Sequence, residues 1–316
     1  MLNLDALAAL CRQYGAGFAA DEPLSAHTTF RVGGNCRAFI TLKDREGAAA
    51  VVQYLRQNAV PFRLIGRGSN LLVPDAGYPG VVLVQGGQLA EVSEPAEPDS
   101  GVIVCGAGAS LKNLCLAALS RGLTGLEFAY GIPGSVGGAV YMNAGAYDGE
   151  MSQVLQSVTV LNENGGTEVL PAEALSLSYR HSIFTERKNA LILEAAVRLK
   201  KGDPAAIRAR MQELLSRRQE KQPLEYPSAG STFKRPAGSY ASLLIDQCGL
   251  KGYRVGGAQV SEKHAGFVIN RGGATYADIM AVCRHVQETV RTQTGYQLEL
   301  EPEILDIPHS TAGGIQ

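Results

Sequence analysis

Three short segments concentrate the residue types that let a main chain, rather than side chains, hold a ligand. From Gly131 to Glu150 the chain reads GIPGSVGGAVYMNAGAYDGE, with Gly131, Gly134, Gly137, Gly138 and Gly145 set among Ser, Ala, Val and Pro. Without Cβ atoms, such a run brings backbone close to a large flat or anionic ligand. It contains no Lys or Arg, so a phosphate there would be met by backbone dipoles. GRGSN, Gly66 to Asn70, combines two glycines with a hydroxyl and an amide. That composition suits a nest of N–H groups around a pyrophosphate. It lacks the Lys-Ser/Thr ending of a Walker loop, and a plain tight turn is its alternative. GAGASL, Gly106 to Leu111, imitates a dinucleotide fingerprint, with Glu127 about twenty residues further on. Leu111 fills the third glycine position, so an ordinary strand-to-helix turn is expected there.

Other chemistries find little support. The five His show no metal-ligand spacing, and no metal is expected. The six Cys (Cys11, Cys36, Cys105, Cys115, Cys248, Cys283) form no CxxC pair and fall mostly in apolar patterns, as reduced core thiols would. Net charge is −1, against the basic surplus of a nucleic-acid binder. With no Trp and 8 Phe, an aromatic-rich sugar platform is not expected. No apolar run reaches the roughly 18 residues of a membrane span. The start MLNLDALAALCRQYG has an acid at Asp5 and no basic lead-in, unlike a signal peptide. A cytoplasmic globular protein is expected, without nucleic-acid or membrane partners, and as a monomer rather than an obligate oligomer.

The elements that must carry these segments follow from periodicity. Leu7, Leu10 and Tyr14 share a helical face. Asp44 caps a helix with an apolar stripe of Ala48, Val51, Val52 and Leu55. PFRLI is a strand running into GRGSN, completing a βαβ-like unit. VVLVQ, VIVCG, VTVLN, GTEVL and LILEAAVRL read as strands. A helix from Ser110 carries Leu111, Leu114, Cys115 and Ala118 and stops at Gly122. A helix through AAIRARMQELLSRRQEK buries Ile207, Met211, Leu214 and Leu215, and its basic residues are expected to form a solvated face. ADIMAVCRHVQETVRTQTG is a further helix, followed by the strand QLELEPEIL. The expected lobes are residues 1–79, 80–201 and 202–306, with a loose tail at 307–316.

TTFRVGG (Thr28 to Gly34), GRGSNLLV (Gly66 to Val73) and GIPGSVGGAVYMNAGAY (Gly131 to Tyr147) resemble motifs of the UDP-N-acetylenolpyruvoylglucosamine reductases. These are also called UDP-N-acetylmuramate dehydrogenases, the MurB family. YRHS from Tyr179, AGSTFKRP from Ala229, LIDQCGLKG from Leu244, VSEKHAGFVIN from Val260 and LEPE from Leu300 match in the same order. YRHS runs straight into IFTERKNALIL, as in the shorter subtype. The resemblance implies an α+β fold of the vanillyl-alcohol-oxidase (PCMH) type, with two FAD-binding lobes and a third, substrate-binding lobe. It implies noncovalent FAD, NADPH as co-substrate, and reduction of an enolpyruvyl double bond on a nucleotide-sugar to a lactyl ether, giving UDP-N-acetylmuramate.

It also implies roles for residues. Gly66, Gly68, Ser69, Asn70 and Leu71, with Ile132, Pro133, Gly134, Ser135, Gly137, Gly138, Asn143 and Gly145, would hold FAD. Arg180 would face the substrate carboxylate, where a planar fork fits better than an ammonium. Ser231 would donate a proton to the carbanion, a base strong enough to take it from a hydroxyl. Glu303 would polarise the developing enolate through a shared proton. Tyr147, Lys234, Arg235 and His264 would contact the nucleotide-sugar, Lys234 at its diphosphate. Two alternatives remain open to sequence alone: a related FAD oxidase of a small alcohol or sugar, and a non-catalytic nucleotide-sugar or flavin binder.

Overall fold

The computed structural model describes residues 2–93, 100–162, 164–187 and 190–305; the expected tail at 307–316 lies outside them. Helix α1 (Leu4–Gln13) buries Leu7 and Cys11, leaving Leu10 and Tyr14 only half-buried. Strands β1 (Gly17–Pro23) and β2 (Asn35–Leu42) precede α2 (Arg45–Gln57). Asp44 caps α2 by accepting from the Gly47 amide at 2.7 Å, and the expected stripe is its buried face. Strands β3 (Phe62–Leu64), β4 (Leu71–Leu72) and β5 (Tyr78–Gln85) follow, and β1-β2-β5-β3 form one sheet.

Next come β6 (Val102–Gly106), α3 (Leu111–Ser120), β7 (Leu123–Thr124) and the six-residue α4 (Val136–Tyr141). Two-residue strands β8 (Gly145–Ala146) and β9 (Gly149–Glu150) make a tight hairpin. Long strands β10 (Leu155–Leu161), β11 (Thr167–Pro171) and β12 (Leu191–Arg198) join β6 in the antiparallel order β11-β10-β12-β6. Strand β13 (Lys200–Lys201) pairs with β7 and leads into α5 (Pro204–Lys221). The C-terminal third holds α6 (Ala241–Gln247), the antiparallel set β14 (Arg254–Val255), β15 (Ala258–Val260) and β16 (Val268–Asn270), then α7 (Tyr276–Thr294) and β17 (Glu303–Ile304). Strand β17 lies parallel to β4, with Glu303 opposite Leu71.

The chain divides into two compact units that differ from the expected lobes. One comprises residues 1–19, 39–69 and 82–222; the other comprises 20–38, 70–81 and 223–316. The boundary expected at 202 therefore moves past α5. The reason is apolar: Ile207 and Met211 of α5 belong to the core that contains Leu114, Leu123 and Phe128. The second unit has its own core, in which Phe30, Val32 and Leu72 join Phe233, Ile245, Val268, Ile279 and Val286. The strand expected through QLELEPEIL is bridged once at Phe233–Leu300 and becomes regular only at β17.

All six cysteines are free, and all but Cys248 are buried. Burial pushes the thiols of Cys105, Cys115 and Cys283 up to about 12, which keeps them protonated and unreactive. Among the described residues no helix is long and apolar enough to cross a membrane, and no His/Cys/Asp/Glu cluster could hold a metal ion.

Candidate active site

In the first unit the two glycine-rich segments meet. Ser135 caps α4, its Oγ accepting from the Gly138 amide at 3.2 Å. A Cβ on Gly66 would collide with that same oxygen, so glycine at 66 is what lets GRGSN lie against the start of α4. Gly68 takes φ +61, a left-handed bend that glycine adopts without strain. Among the described residues the amides of Gly66, Arg67 and Ser69 make no hydrogen bond within the protein. That leaves a short row of donors suited to the pyrophosphate of FAD.

The second segment does less of this than its sequence suggested. The α4 amides of Val136 and Gly137 already donate to the carbonyls of Ala109 (2.8 Å) and Ala107 (2.7 Å), and that of Gly138 to Ser135. A Cβ on Gly137 would stand 2.9 Å from the Ala107 Cβ. Gly137 therefore serves close packing onto the GAGAS turn. Gly145 is likewise required by its hairpin, where a Cβ would sit 2.7 Å from the Gly149 carbonyl oxygen. Asn143, 1% exposed, donates to the Ser178 carbonyl at 3.2 Å and accepts from the Ser152 amide at 2.8 Å, so its side chain is engaged internally. Among the described residues the amide of Ser135 makes no hydrogen bond within the protein, so it is a donor this segment retains. Ile132 and Pro133 form the turn before it, and Gly134 accepts from the Leu111 amide at 3.0 Å.

The same internal bonds aim Arg180. Ser178 and His181 exchange backbone hydrogen bonds of 3.1 Å, closing a tight hairpin with Tyr179 and Arg180 at its tip. Arg180 adopts φ +55, a conformation costing an arginine about 1–3 kcal/mol that its surroundings must enforce. Asn143 holds one end of this hairpin, and Ser182 the other by donating to the Tyr141 carbonyl at 2.6 Å. Tyr147 and Asp148 also both have positive φ, +52 and +65, at the β8–β9 turn. Beside Tyr147 lies Arg218 of α5, whose Cδ would be 3.2 Å from a Cβ on Gly131. Burial draws the Arg218 guanidinium below its ordinary range while the Tyr147 ring opposes the shift; an arginine so placed stays charged. Sequence reasoning put Arg218 on a solvated face. The signal that could have found it is its place on α5, one turn beyond the buried Leu214.

In the second unit a backbone ladder gathers the other groups. Thr232 donates to the Gly266 carbonyl at 2.8 Å and accepts from the Glu301 amide at 3.0 Å, and the Lys234 amide donates to the Glu299 carbonyl at 2.9 Å. Two residues past Glu301, the Glu303 amide donates to the Asn70 carbonyl at 2.9 Å. The Asn70 side chain reaches the Glu301 carbonyl at 3.1 Å. Ser231, following Gly230 at φ +78, thus lies in one strip with Glu303, Asn70 and Leu71. His264 joins through Gly266, whose amide donates to its Nδ1 at 3.2 Å. That bond leaves Nε2 as the protonated nitrogen of a neutral ring. Burial, and secondarily Lys251, hold its pKa below the usual histidine range, against a backbone hydrogen bond that raises it. Lys234 Nζ pairs with Glu299 at 3.2 Å, and the Arg235 guanidinium lies 4.6 Å from the Tyr240 ring.

Comparison with known proteins gives these motifs a family. The model for an FAD binding domain matches residues 36–170, and that for the UDP-N-acetylenolpyruvoylglucosamine reductase C-terminal domain matches 222–305. A reductase of that name from Clostridium perfringens is 46% identical over 285 residues, covering 90% of this chain and 92% of the relative. This chain belongs to the UDP-N-acetylenolpyruvoylglucosamine reductase family. A reductase from Lachnoclostridium phytofermentans is 47% identical over 284 residues, 90% of this chain and 91% of the relative. The crystal structure of the Thermus caldophilus reductase superposes with a TM-score of 0.77 at 36% identity, covering 92% of this chain and 98% of that one. The fold is therefore the α+β FAD-binding architecture of the reductases with their C-terminal domain.

Proposed function

We propose that this chain reduces the enolpyruvyl double bond of UDP-N-acetylglucosamine enolpyruvate to a lactyl ether. The product is UDP-N-acetylmuramate, a peptidoglycan precursor; NADPH is the reductant, FAD is held noncovalently, and the setting is the cytoplasm. The observation that carries this is the near full-length likeness to named reductases, at 46% identity over 90% of the chain.

FAD would supply the relay of hydride from NADPH to the enolpyruvyl methylene carbon. The chain's own residues do the rest. The GRGSN amides hold the pyrophosphate. Arg180, fixed at its hairpin tip, binds the substrate carboxylate and stabilises the negative charge that grows beside it, an interaction stronger in the transition state than in the ground state. Ser231 Oγ–H delivers a proton to the carbanion carbon. Glu303 steadies the enolate through a shared proton. Tyr147, Lys234, Arg235 and the Nε2–H of His264 contact the nucleotide-sugar. Arg218, beside Tyr147, adds a desolvated cation for an anionic part of it. The test is anaerobic titration of the purified yellow protein with NADPH, followed by addition of UDP-N-acetylglucosamine enolpyruvate. Bleaching by the first and full recovery of the oxidised spectrum by the second is the expected result. Bleaching with no recovery would overturn the assignment.

A further inference from the structure

The second unit contains a pocket of about 400 Å³ lined by Arg31, Tyr226, Pro227, Asn270, Arg271 and the Gly272–Gly273 turn. No carboxylate borders it. Its frame is one buried side chain. Asn270, 7% exposed, accepts from the amides of Gly272 (2.8 Å) and Ala274 (3.2 Å) and donates to the Phe30 carbonyl at 3.2 Å. The same amide therefore fixes both segments that carry the arginines. Arg31 is held at φ +56 directly after Phe30. The Arg271 guanidinium lies 4.4 Å from the Tyr226 ring centroid and donates to its hydroxyl, so its fork is oriented before any ligand arrives. Arg31 makes no side-chain hydrogen bond or ion pair among the described residues, and the Gly273 amide, at φ +65 over open space, has no partner there either.

Two guanidiniums, an open amide and no acid around a ligand-sized hollow match one chemistry. We propose that this pocket binds the phosphate group of an organic phosphate. Arginine forks fit phosphate oxygens bidentately, and the volume falls in the range of small-molecule sites. The N-terminal amides of α7 play no part, because Asp75 accepts from Tyr276 and Ala277 at 2.8 and 3.1 Å. The phosphate can come from the 2′-phosphomonoester of NADPH or from a free organic phosphate. The first source rests on the function proposed above; the pocket itself does not.

The test is calorimetric titration of the FAD-loaded full chain with inorganic pyrophosphate, with UDP-N-acetylmuramate at saturation so that the nucleotide-sugar site is filled. Arg31→Gln and Arg271→Gln are compared at equal flavin content, since both side chains are exposed. Saturable binding that weakens with salt, and at least tenfold in each variant, is expected. If KM then rises for NADPH but not for NADH, the 2′-phosphate is the natural occupant. If neither KM moves while pyrophosphate binding is lost, the occupant is a free organic phosphate. No saturable binding, or equal binding by the wild type and both variants, overturns the proposal.

Discussion

The proton-donor role proposed for Ser231 would separate the two half-reactions. Reduction of the flavin by NADPH moves a hydride and no proton to carbon, whereas reoxidation by the enolpyruvyl substrate needs both. Ser231→Ala should therefore reduce its flavin at near the normal rate yet reoxidise about 10²–10⁴-fold more slowly, the usual loss for a missing general acid. Stopped-flow absorbance reads each half directly, and equal slowing of both would make Ser231 structural. His264 supports a pH prediction. Its pKa is lowered in the folded protein, so between that value and the ordinary 6.5 the unfolded chain binds the extra proton. The His264 contribution to stability should be constant above about pH 6.5 and fall as the pH drops through that window. His264→Gln should flatten this loss, measurable as the difference in melting temperature between pH 7.5 and pH 5.5.

Elements decide which glycines face a ligand. Gly137→Ala is expected to strain the packing of α4 on the GAGAS turn, where the new methyl would stand 2.9 Å from the Ala107 Cβ and 3.1 Å from its carbonyl oxygen. Overpacking of this kind costs about 1–3 kcal/mol. The melting temperature of flavin-free protein should fall, a change that ligand exclusion alone would not produce. The sequence made the glycine density of Gly131–Gly145 legible, but not its division of labour. Whether an amide faces a ligand or the carbonyl of Ala107 depends on β6 and α3, contacts that no local pattern encodes. Long periodic elements were readable because their stripes are local: α2 and α7 carry their apolar faces in their own spacing. The short pieces β4, β8 and β9 were not, since two-residue strands are created by their partners, whereas β17 is the part of the expected strand QLELEPEIL that finds one. Arg218 escaped for the same reason, its burial coming from Gly131 and Tyr147.

At the scale of the whole molecule, the family's C-terminal domain at 222–305 is not a self-contained body. The core of its unit requires Phe30, Val32 and Leu72 from two earlier stretches of chain. A fragment of residues 222–316 expressed alone should lack a cooperative thermal transition, and adding residues 20–81 on a separate chain should restore one. Circular dichroism melting curves of the fragment, with and without that chain, check this; a cooperative melt by the fragment alone would show that the borrowed residues are dispensable. The helix of Pro204–Lys221, which follows the expected boundary at 202, completes with its buried stripe the core before it.

The partnership of β4 with β17 has a temporal side. Asn70 waits for Glu301, 231 positions further along the chain, and Leu71 for Glu303. At about 5–20 residues per second on a ribosome, the GRGSN segment is made some tens of seconds before the strip that carries the candidate catalytic glutamate. Throughout that interval the nascent chain has the loop proposed to hold the pyrophosphate but no strand beside its exit. A half-made molecule is thus unable to reduce substrate, and β4 remains an unpaired edge in need of protection until the last strand of the site leaves the ribosome.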